Sequence, residues 1–256
     1  MKIKHFLALI ILGISLQGFV PATQQIYLLS KYHYSNQDQE KMIDKYLEEA
    51  YLPALHRIGI QDIGVFKTID GRNEDQKMVM ILIPLNTSQQ INVIRSELEV
   101  DNQYQESGSF FLKAPYDDPP FDRIENVLMS AFSSTPEISI PGFDTPRKER
   151  VYELRSYESA TPYLHKQKVK MFDTGESELF INLGFQPVFF ASVVAGANMP
   201  NLMYLTCHAN EEAQEENWNK FRESDDWLKM KSIKEFENTV SKSTKWYLYP
   251  AAYSDY

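Results

Sequence analysis

One short segment in the second half of the chain alternates charged and phenolic residues with apolar ones, VYELRSYES at residues 151–159. In a β-strand, side chains two positions apart lie on the same face, so Glu153, Arg155 and Tyr157 share one side. A carboxylate and a guanidinium at this spacing lie about 7 Å apart and can share one network. They could orient a polar ligand, or they could form an internal ion pair that closes an interface within the fold. We take Glu153, Arg155 and Tyr157 as candidate ligand-binding residues.

Two histidines lie where sites are commonly built, at a strand end and in a loop. His208 ends a predicted strand and follows Cys207, whereas His165 lies in the loop ATPYLHKQ. Either imidazole could act as a general base, because its unperturbed pKa is near neutrality, or it could be a surface or capping residue. We add His165 and His208 to the candidate ligand-binding residues. Cys207 is the single cysteine, so no internal disulfide can form, and we expect it to be a buried, unreactive strand residue.

The sequence carries no recognisable metal or cofactor motif. The histidines show none of the spacings HxH, HxxxH or HExxH, and there is no GxGxxG, Walker or GxSxG motif. We therefore expect no metal and no cofactor, and the sequence assigns no catalytic residue. Trp218, Phe221 and Trp227 could stack on a cofactor, but their spacing along a helix is more typical of a packed core.

The composition is that of a globular protein with an acidic surface. Of 256 residues, 43% are hydrophobic and 24% are charged, and the formal net charge is −9. Because an acidic surface repels phosphate groups, we do not expect nucleic acid as a partner. A small molecule is the expected ligand.

The first residues have the layout of a secretory signal peptide. The basic start MKIK is followed by the apolar run Phe6–Val20, and Val20 and Ala22 occupy the small-residue positions that precede a cleavage site. The run is shorter than the about 20 residues of a comfortable membrane span, so no stable span is expected once residues 1–22 are removed. An uncleaved anchor is the alternative. We expect cleavage after about Ala22 and a secreted or periplasmic protein.

The sequence contains an internal repeat, whose second copy begins past the middle of the chain. IYLLSKY at residues 26–32 resembles VYELRSY at residues 151–157, and IGIQDIGVF at residues 58–66 resembles LGFQPVFFA at residues 183–191. Both pairs are offset by 125 residues (151 against 26, and 183 against 58). A constant offset over two separate segments indicates a tandem duplication.

Each copy is predicted to run strand, helix, strand, strand, helix, strand. In the first copy we expect strands at Gln25–Tyr32, Ile63–Thr68, Met78–Pro84 and Asn126–Phe132, with helices at Gln37–Arg57 and Ser88–Val100. Pro53 is expected to interrupt or kink the end of the first helix, and residues 106–120 are expected to be a loop. In the second copy we expect strands at Val151–Tyr157, Pro187–Val194, Leu202–His208 and Trp246–Tyr249, with helices at Lys168–Leu183 and Glu211–Phe236.

A βαββαβ unit is the ferredoxin-like motif, in which one sheet face carries both helices and the other is bare. Two such units in one chain can cover each other, so we expect an α+β fold with two tandem ferredoxin-like domains forming an intrachain dimeric α/β barrel. The expected domains are residues 23–134 and 151–256, joined by a linker at residues 135–150. Because unpaired charge beneath packed helices is costly, Glu153 and Arg155 are expected in the barrel interior or at its mouth.

The second copy resembles the NIPSNAP family of the dimeric α/β-barrel superfamily. VYELRSYE at residues 151–158 is similar to the opening strand of that domain, and NWNKFRESDDWLKM at residues 217–230 is similar to its aromatic helix. LPALHRIGIQDIGVF at residues 52–66 resembles the first copy of secreted bacterial members with two such domains. The first copy has Leu28 and Ser30 where the second has Glu153 and Arg155, so a site that needs this pair is expected only in the second copy.

The resemblance leaves two functions open. The first is a non-catalytic exported module that binds or interacts with a small molecule. The second is a small cofactor-independent monooxygenase-like enzyme, which would use the barrel to exclude water around an aromatic or quinone-like substrate. An enzyme needs a titratable group inside a closed pocket, whereas a binding module needs shape and a few polar anchors.

Overall fold

The computed structural model describes residues 24–73 and 76–256, so the predicted signal peptide at residues 1–22 lies outside the described residues. The strands are rich in β-branched and aromatic residues, which favour extended backbone. They are β1 (Ile26–His33), β2 (Gly64–Thr68), β3 (Met78–Leu85), β4 (Arg123–Ala131), β5 (Val151–Glu158), β6 (Gln186–Ala195), β7 (Asn201–His208) and β8 (Lys242–Pro250).

Helices connect the strands in a similar order in both halves. The first half contains α1 (Gln37–Tyr46), α2 (Leu52–Arg57), α3 (Gln90–Val100), α4 (Asn102–Ser107) and α5 (Ser109–Leu112). The second half contains α6 (Pro162–Met171), α7 (Ser177–Asn182), α8 (Glu211–Glu223) and α9 (Asp225–Lys231). None of the helices in residues 24–73 and 76–256 is both long enough and apolar enough to cross a bilayer.

The duplication is also visible in the backbone. A π-helical turn joins α1 to α2 at Leu47–Tyr51, and another joins α6 to α7 at Phe172–Glu176. The second π turn begins 125 residues after the first (172 against 47), the same offset that the sequence repeat shows. The sequence predicts an interruption of the first helix by Pro53. Because the second half has the π turn at the equivalent position, a proline is not needed to form it.

The two halves close into one barrel through two seams. Each half forms a ferredoxin-like sheet, in the order β4-β1-β3-β2 in the first and β8-β5-β7-β6 in the second. Strand β2 then pairs with β8, and β4 pairs with β6, both antiparallel. Closure leaves no free sheet edge, which removes the usual route to edge-to-edge aggregation. The predicted intrachain dimeric α/β barrel is confirmed.

Three apolar clusters fill the fold. The first lies inside the barrel, where strand residues of both halves meet, including Tyr27, Phe66, Tyr152 and Leu154. The other two lie between the helices and the outer face of the sheet, one in each half. Because successive side chains of a strand point to opposite faces, the residues that alternate with Tyr152 and Leu154 on β5 face the helices.

The segment at residues 106–120 is more ordered than the sequence predicts. Helix α5 lies within it and buries Phe111, whose ring stacks on Tyr46 with centroids 4.0 Å apart. The loop prediction is therefore wrong for this part of the segment. A helix of one turn is too short to show a hydrophobic period, which is why the pattern misses it.

Candidate functional site

Glu153 is the centre of a buried hydrogen-bonded cluster beneath α8. Its carboxylate is fully buried. One oxygen accepts from Arg155 Nε at 2.7 Å and Nη2 at 2.6 Å. The other accepts from Gln214 Nε2 at 2.7 Å and from Trp218 Nε1 at 2.6 Å. Every strong acceptor site of this carboxylate is thus matched by a donor, which is what permits a charge to be buried here.

These contacts correct the expected position of Glu153 and Arg155. Both side chains lie on the helix-facing side of β5, and it is Tyr152 and Leu154 that enter the barrel interior. The prediction placed the pair in the barrel because unpaired charge beneath helices is costly. The pair is not unpaired, since α8 supplies Gln214 and Trp218 as extra donors, and the objection does not apply.

Arg155 is held rigidly and keeps donors free. Its guanidinium carbon lies 3.6 Å from the ring centroid of Trp218, and Nη1 donates to the Tyr157 hydroxyl at 3.2 Å. Of the five N–H groups of a guanidinium, Nε–H and one on Nη2 meet Glu153 and one on Nη1 meets Tyr157, leaving two. Arg155 also lines a cleft, so these groups can meet a ligand.

A second buried ion pair forms the opposite wall. Lys168 Nζ of α6 lies 2.6 Å from Glu176 Oε2 in the following π turn, and both side chains are buried. Burial raises the pKa of Glu176, and the nearby Lys168 ammonium offsets part of that rise. The Lys168 ammonium also lies 4.7 Å from the centroid of the Phe172 ring.

The space between these two pairs is a cleft of about 440 Å³, which we call the helix–sheet cleft. Charged groups line it on both sides, with the cations Arg155, Lys168, Arg222 and Lys245 against one carboxylate, Glu176. Aromatic rings complete the walls, those of Tyr157, Phe180, Trp218, Phe221 and Trp227. Cations exceed anions here, although the chain as a whole is acidic. Such a cleft suits a planar, electron-rich or anionic molecule.

His208 does not line the cleft. It is fully buried, Nδ1 lies 3.2 Å from Asn217 Nδ2, and Nε2 lies 3.3 Å from Thr206 Oγ1. Since the Asn217 amide can only donate, His208 Nδ1 is the acceptor and Nε2 carries the proton. Burial lowers the pKa of His208 to about 4, so the imidazole is neutral at physiological pH. The structure therefore makes His208 a supporting residue beside the Glu153 cluster.

His165 and Cys207 are also separate from the cleft. His165 Nε2 lies 3.3 Å from Ser192 Oγ on β6, and partial burial lowers the pKa of the imidazole. Burial raises the pKa of the Cys207 thiol to about 12, so the thiolate is scarce at neutral pH. Of the five candidate residues, the structure brings Glu153, Arg155 and Tyr157 together.

Several residues of the cluster have no clear signal in the sequence. Lys168 and Glu176 are charged residues on a helix, which a pattern assigns to solvent, and Gln214 lies between glutamates in EEAQEENW. Tyr204, whose hydroxyl lies 2.7 Å from that of Tyr157, reads as an ordinary strand residue. One signal for the burial of Lys168 is its helical spacing. It precedes the core residue Phe172 by four positions, so both side chains lie on the side of the helix that faces the core.

Among the described residues of the first half, none form an equivalent of the cleft cluster. Arg155 corresponds to Ser30 at the repeat offset, and Ser30 Oγ donates to Asn126 Oδ1 at 2.6 Å. The space beneath its helices is filled by aliphatic and aromatic side chains, and the hydroxyls of Tyr46 and Tyr104 lie 2.7 Å apart there. Within the part of the chain that the structure describes, no group of three or more His, Cys, Asp or Glu residues could hold a metal ion.

Comparison with known proteins supports the family and the fold. The model of the NIPSNAP family matches residues 152–255. A candidate monooxygenase of Lactobacillus acidophilus is 8% identical with a TM-score of 0.56, over 89% of this chain and 94% of that one. A candidate monooxygenase of Fusobacterium nucleatum is 9% identical with a TM-score of 0.55, over 89% of this chain and 93% of that one.

A third solved structure, an anthrone oxidase-like protein, is 9% identical with a TM-score of 0.55, over 89% of this chain and 92% of that one. At these identities the likeness shows the shared fold alone. No curated protein matches the sequence. The family match covers the half that holds the helix–sheet cleft, and the second half of this α/β barrel is a NIPSNAP domain.

Proposed function

We propose that this chain is an exported NIPSNAP protein that binds a small planar molecule, anionic or quinone-like, in the helix–sheet cleft without transforming it. One observation carries the proposal. The Arg155 guanidinium is fixed between the Glu153 carboxylate and the face of Trp218, and it still has two N–H groups to offer at the cleft. A pre-oriented guanidinium loses little entropy when it binds an oxygen pair.

The walls around Arg155 explain why the ligand should be aromatic. Trp218 and Trp227 present rings to the cleft, and Phe221 lies between them with its centroid 4.6 Å from that of Trp227. Lys245 and Arg222 lie at the exposed rim, where they would attract an anion before it reaches Arg155. A flat molecule with one acidic or carbonyl edge satisfies both the rings and the guanidinium.

The second candidate function is a cofactor-independent monooxygenase-like enzyme. The observation that favours it is the shared fold with proteins described as candidate monooxygenases and with an anthrone oxidase-like protein. An aromatic cleft would suit such substrates. Against it, the two candidate histidines do not reach the cleft, and no imidazole of the described residues lines it as a base. Oxygen uptake in the presence of a dihydroxynaphthalene separates the two functions, since a binding module consumes none.

Binding of 2-hydroxy-1,4-naphthoquinone, a planar quinone that is anionic at neutral pH, tests the cleft. We expect the wild-type protein to bind it and Arg155→Lys to bind at least about tenfold more weakly, because lysine keeps the charge beside Glu153 but loses the fork and the Trp218 stacking. Quenching of tryptophan fluorescence measures the affinity. Arg123→Lys, which changes an exposed arginine outside the cleft, is the control and should bind like the wild type.

Equal affinity in wild type and Arg155→Lys, with both proteins folded, would refute the proposed site. Native mass spectrometry of the protein purified from its own host gives a second readout. We expect a small molecule that travels with the wild-type protein and is lost from Arg155→Lys.

Export has its own test. If the signal peptide is removed, N-terminal sequencing of the protein from its host should begin at Thr23 or within a few residues of it, because Ala22 ends the small-residue cleavage pattern. A protein that keeps the apolar run Phe6–Val20 would instead be anchored, and the proposed export would be wrong.

A further inference from the structure

The barrel is closed at one end and open at the other. At the closed end, Tyr256 packs edge to face on Phe66, and the linker residues Ile138 and Phe143 pack against the interior cluster. At the open end lies a cavity of about 780 Å³, which we call the barrel mouth. Interior-facing side chains of both halves line it, including Lys31, Met78, Val127, Ser156, Met203 and Trp246. The mouth lies on the opposite face of the sheet from the helix–sheet cleft.

Lys31 is the unusual residue of the barrel mouth. It is 7% exposed, and its Nζ lies 4.3 Å from the centroid of the Trp246 ring. Among the described residues, 24–73 and 76–256, no carboxylate oxygen lies within 4.0 Å of this ammonium. Lysine is almost never this buried without an ion-pair partner. Burial lowers the pKa of Lys31, and Glu125 offsets part of that change.

The two acidic residues that line the mouth, Asp122 and Glu125, have other partners. Glu125 lies opposite Lys31 in the strand register, but its Oε1 is 3.3 Å from His33 Nε2 and 2.8 Å from Arg123 Nε. Asp122 accepts hydrogen bonds from the Ser35 hydroxyl and the Gln39 amide. The Lys31 charge is therefore left for something that enters the mouth.

Lys31 lies between apolar side chains inside the barrel and basic side chains at the rim of the mouth. Met78, Met203 and Trp246 are buried and form an apolar floor. The exposed rim adds the basic residues Lys77, Arg123 and Lys242. At the repeat offset, Lys31 corresponds to Ser156, whose hydroxyl is bonded to Asn201 Oδ1 at 3.1 Å, so the second half offers no matching cation. The barrel mouth has one buried positive charge beside an apolar surface.

We propose that the barrel mouth is a second ligand site, which takes a small amphipathic carboxylate. The carboxylate would pair with the Lys31 ammonium, and the aliphatic part would lie on Trp246, Met78 and Met203. Pairing supplies the counter-charge that the buried ammonium lacks, and the aliphatic part of the ligand itself leaves water when it enters the mouth. The site uses no residue of the helix–sheet cleft, so it stands or falls independently of the proposed function.

Titration calorimetry with octanoate and with its neutral analogue octanamide tests the proposal. We expect octanoate to bind once per chain and octanamide to bind at least about tenfold more weakly, the difference that one desolvated charge pair makes. Lys31→Met should bring octanoate down to the affinity of octanamide, and Lys31→Arg should retain most of it. The matched control Lys41→Met, which changes an exposed lysine of α1 outside both the barrel mouth and the cleft, should bind octanoate like the wild type.

A second measurement uses the wild-type protein alone and does not depend on the variants folding. Octanoate should slow the reaction of Lys31 with trinitrobenzenesulfonate, followed by peptide mass spectrometry, and leave that of the exposed Lys41 unaffected. Unprotected Lys31, equal affinities for octanoate and octanamide, or undiminished octanoate binding by folded Lys31→Met would each overturn the proposal.

Discussion

We expect Arg155→Met to lower the free energy of unfolding by about 3 kcal/mol or more, measured by urea denaturation at pH 7. The reason is that Glu153 is fully buried and would lose both hydrogen bonds from its cationic partner Arg155. The donors Gln214 and Trp218 remain, and they hold the expected loss near the lower end of the range for a broken buried pair.

The double variant Glu153→Gln with Arg155→Met should recover more than half of that loss. The amide has no charge to bury, and its oxygen can still accept from Trp218 and Gln214. The chain supplies a matched control in Arg123 and Glu125, which have the same residue types at the same strand spacing but are exposed. Arg123→Met should change stability by less than about 1 kcal/mol. A similarly small effect of Arg155→Met would mean that the Glu153–Arg155 pair is hydrated and does not support the fold.

The outcome bears on how one pair can serve both stability and binding. The sequence is compatible with two roles for Glu153 and Arg155, an internal ion pair or a ligand anchor, and these look mutually exclusive. In the structure, all hydrogen bonds of the Glu153 carboxylate are made within the protein, whereas Arg155 keeps two N–H donors at the cleft. The ion pair therefore fixes the guanidinium, and the fixed guanidinium is what a ligand would meet.

The fold was accessible from the sequence because duplication leaves a long-range signal. Two similar segments at a constant offset reveal the repeat unit, and the unit is short enough for its strand and helix pattern to be recognised. A βαββαβ unit has one bare sheet face, so two of them in one chain point to a shared barrel. What pattern reasoning missed was how the halves join, which is edge to edge at β2–β8 and β4–β6.

The site was only partly accessible, and the misses share one cause. The prediction that Glu153 and Arg155 face the barrel interior rests on the cost of burying unpaired charge. That cost depends on partners more than 50 residues away, such as Gln214 and Trp218, which no local pattern can reveal. The burial of Lys168 and Glu176 is not predictable from a local pattern for the same reason, because each charge is compensated by the other.

Lys31 is the opposite case, because no pattern in the sequence distinguishes it from an ordinary strand residue. In IYLLSKYH it looks like an exposed strand residue, and only closure of the barrel buries it. Its position depends on the pairing of β1 with β3 and β4 and on Trp246 from the other half. Buried charges in a duplicated fold thus mark where the two copies have diverged, as Lys31 against Ser156 and Arg155 against Ser30 show.

His208 should make the protein less stable in mild acid. Its pKa is about 4 in the folded chain against 6.5 for a free histidine, with burial as the main cause; the Glu153 carboxylate offsets part of the decrease, and Arg155 adds to it. A depressed folded pKa means that the unfolded chain binds the proton first. The stabilising contribution is therefore complete above pH 6.5 and is lost as the pH falls from 6.5 towards 4. Between pH 7 and pH 5 the free energy of unfolding should fall by about 2 kcal/mol from this residue alone.

The variant His208→Gln isolates that contribution. Glutamine can accept from Asn217 and donate to Thr206 as the neutral imidazole does, but it does not titrate. We expect the loss of stability between pH 7 and pH 5 in urea denaturation to be about 2 kcal/mol smaller in His208→Gln than in the wild type. Thr206→Val is the matched control, because it removes a partner of His208 yet leaves the imidazole buried, so it should lower stability at both pH values and keep the pH dependence. If His208→Gln kept the wild-type dependence, the imidazole would not be buried as a neutral group, and the supporting role assigned to it beside the Glu153 cluster would be wrong.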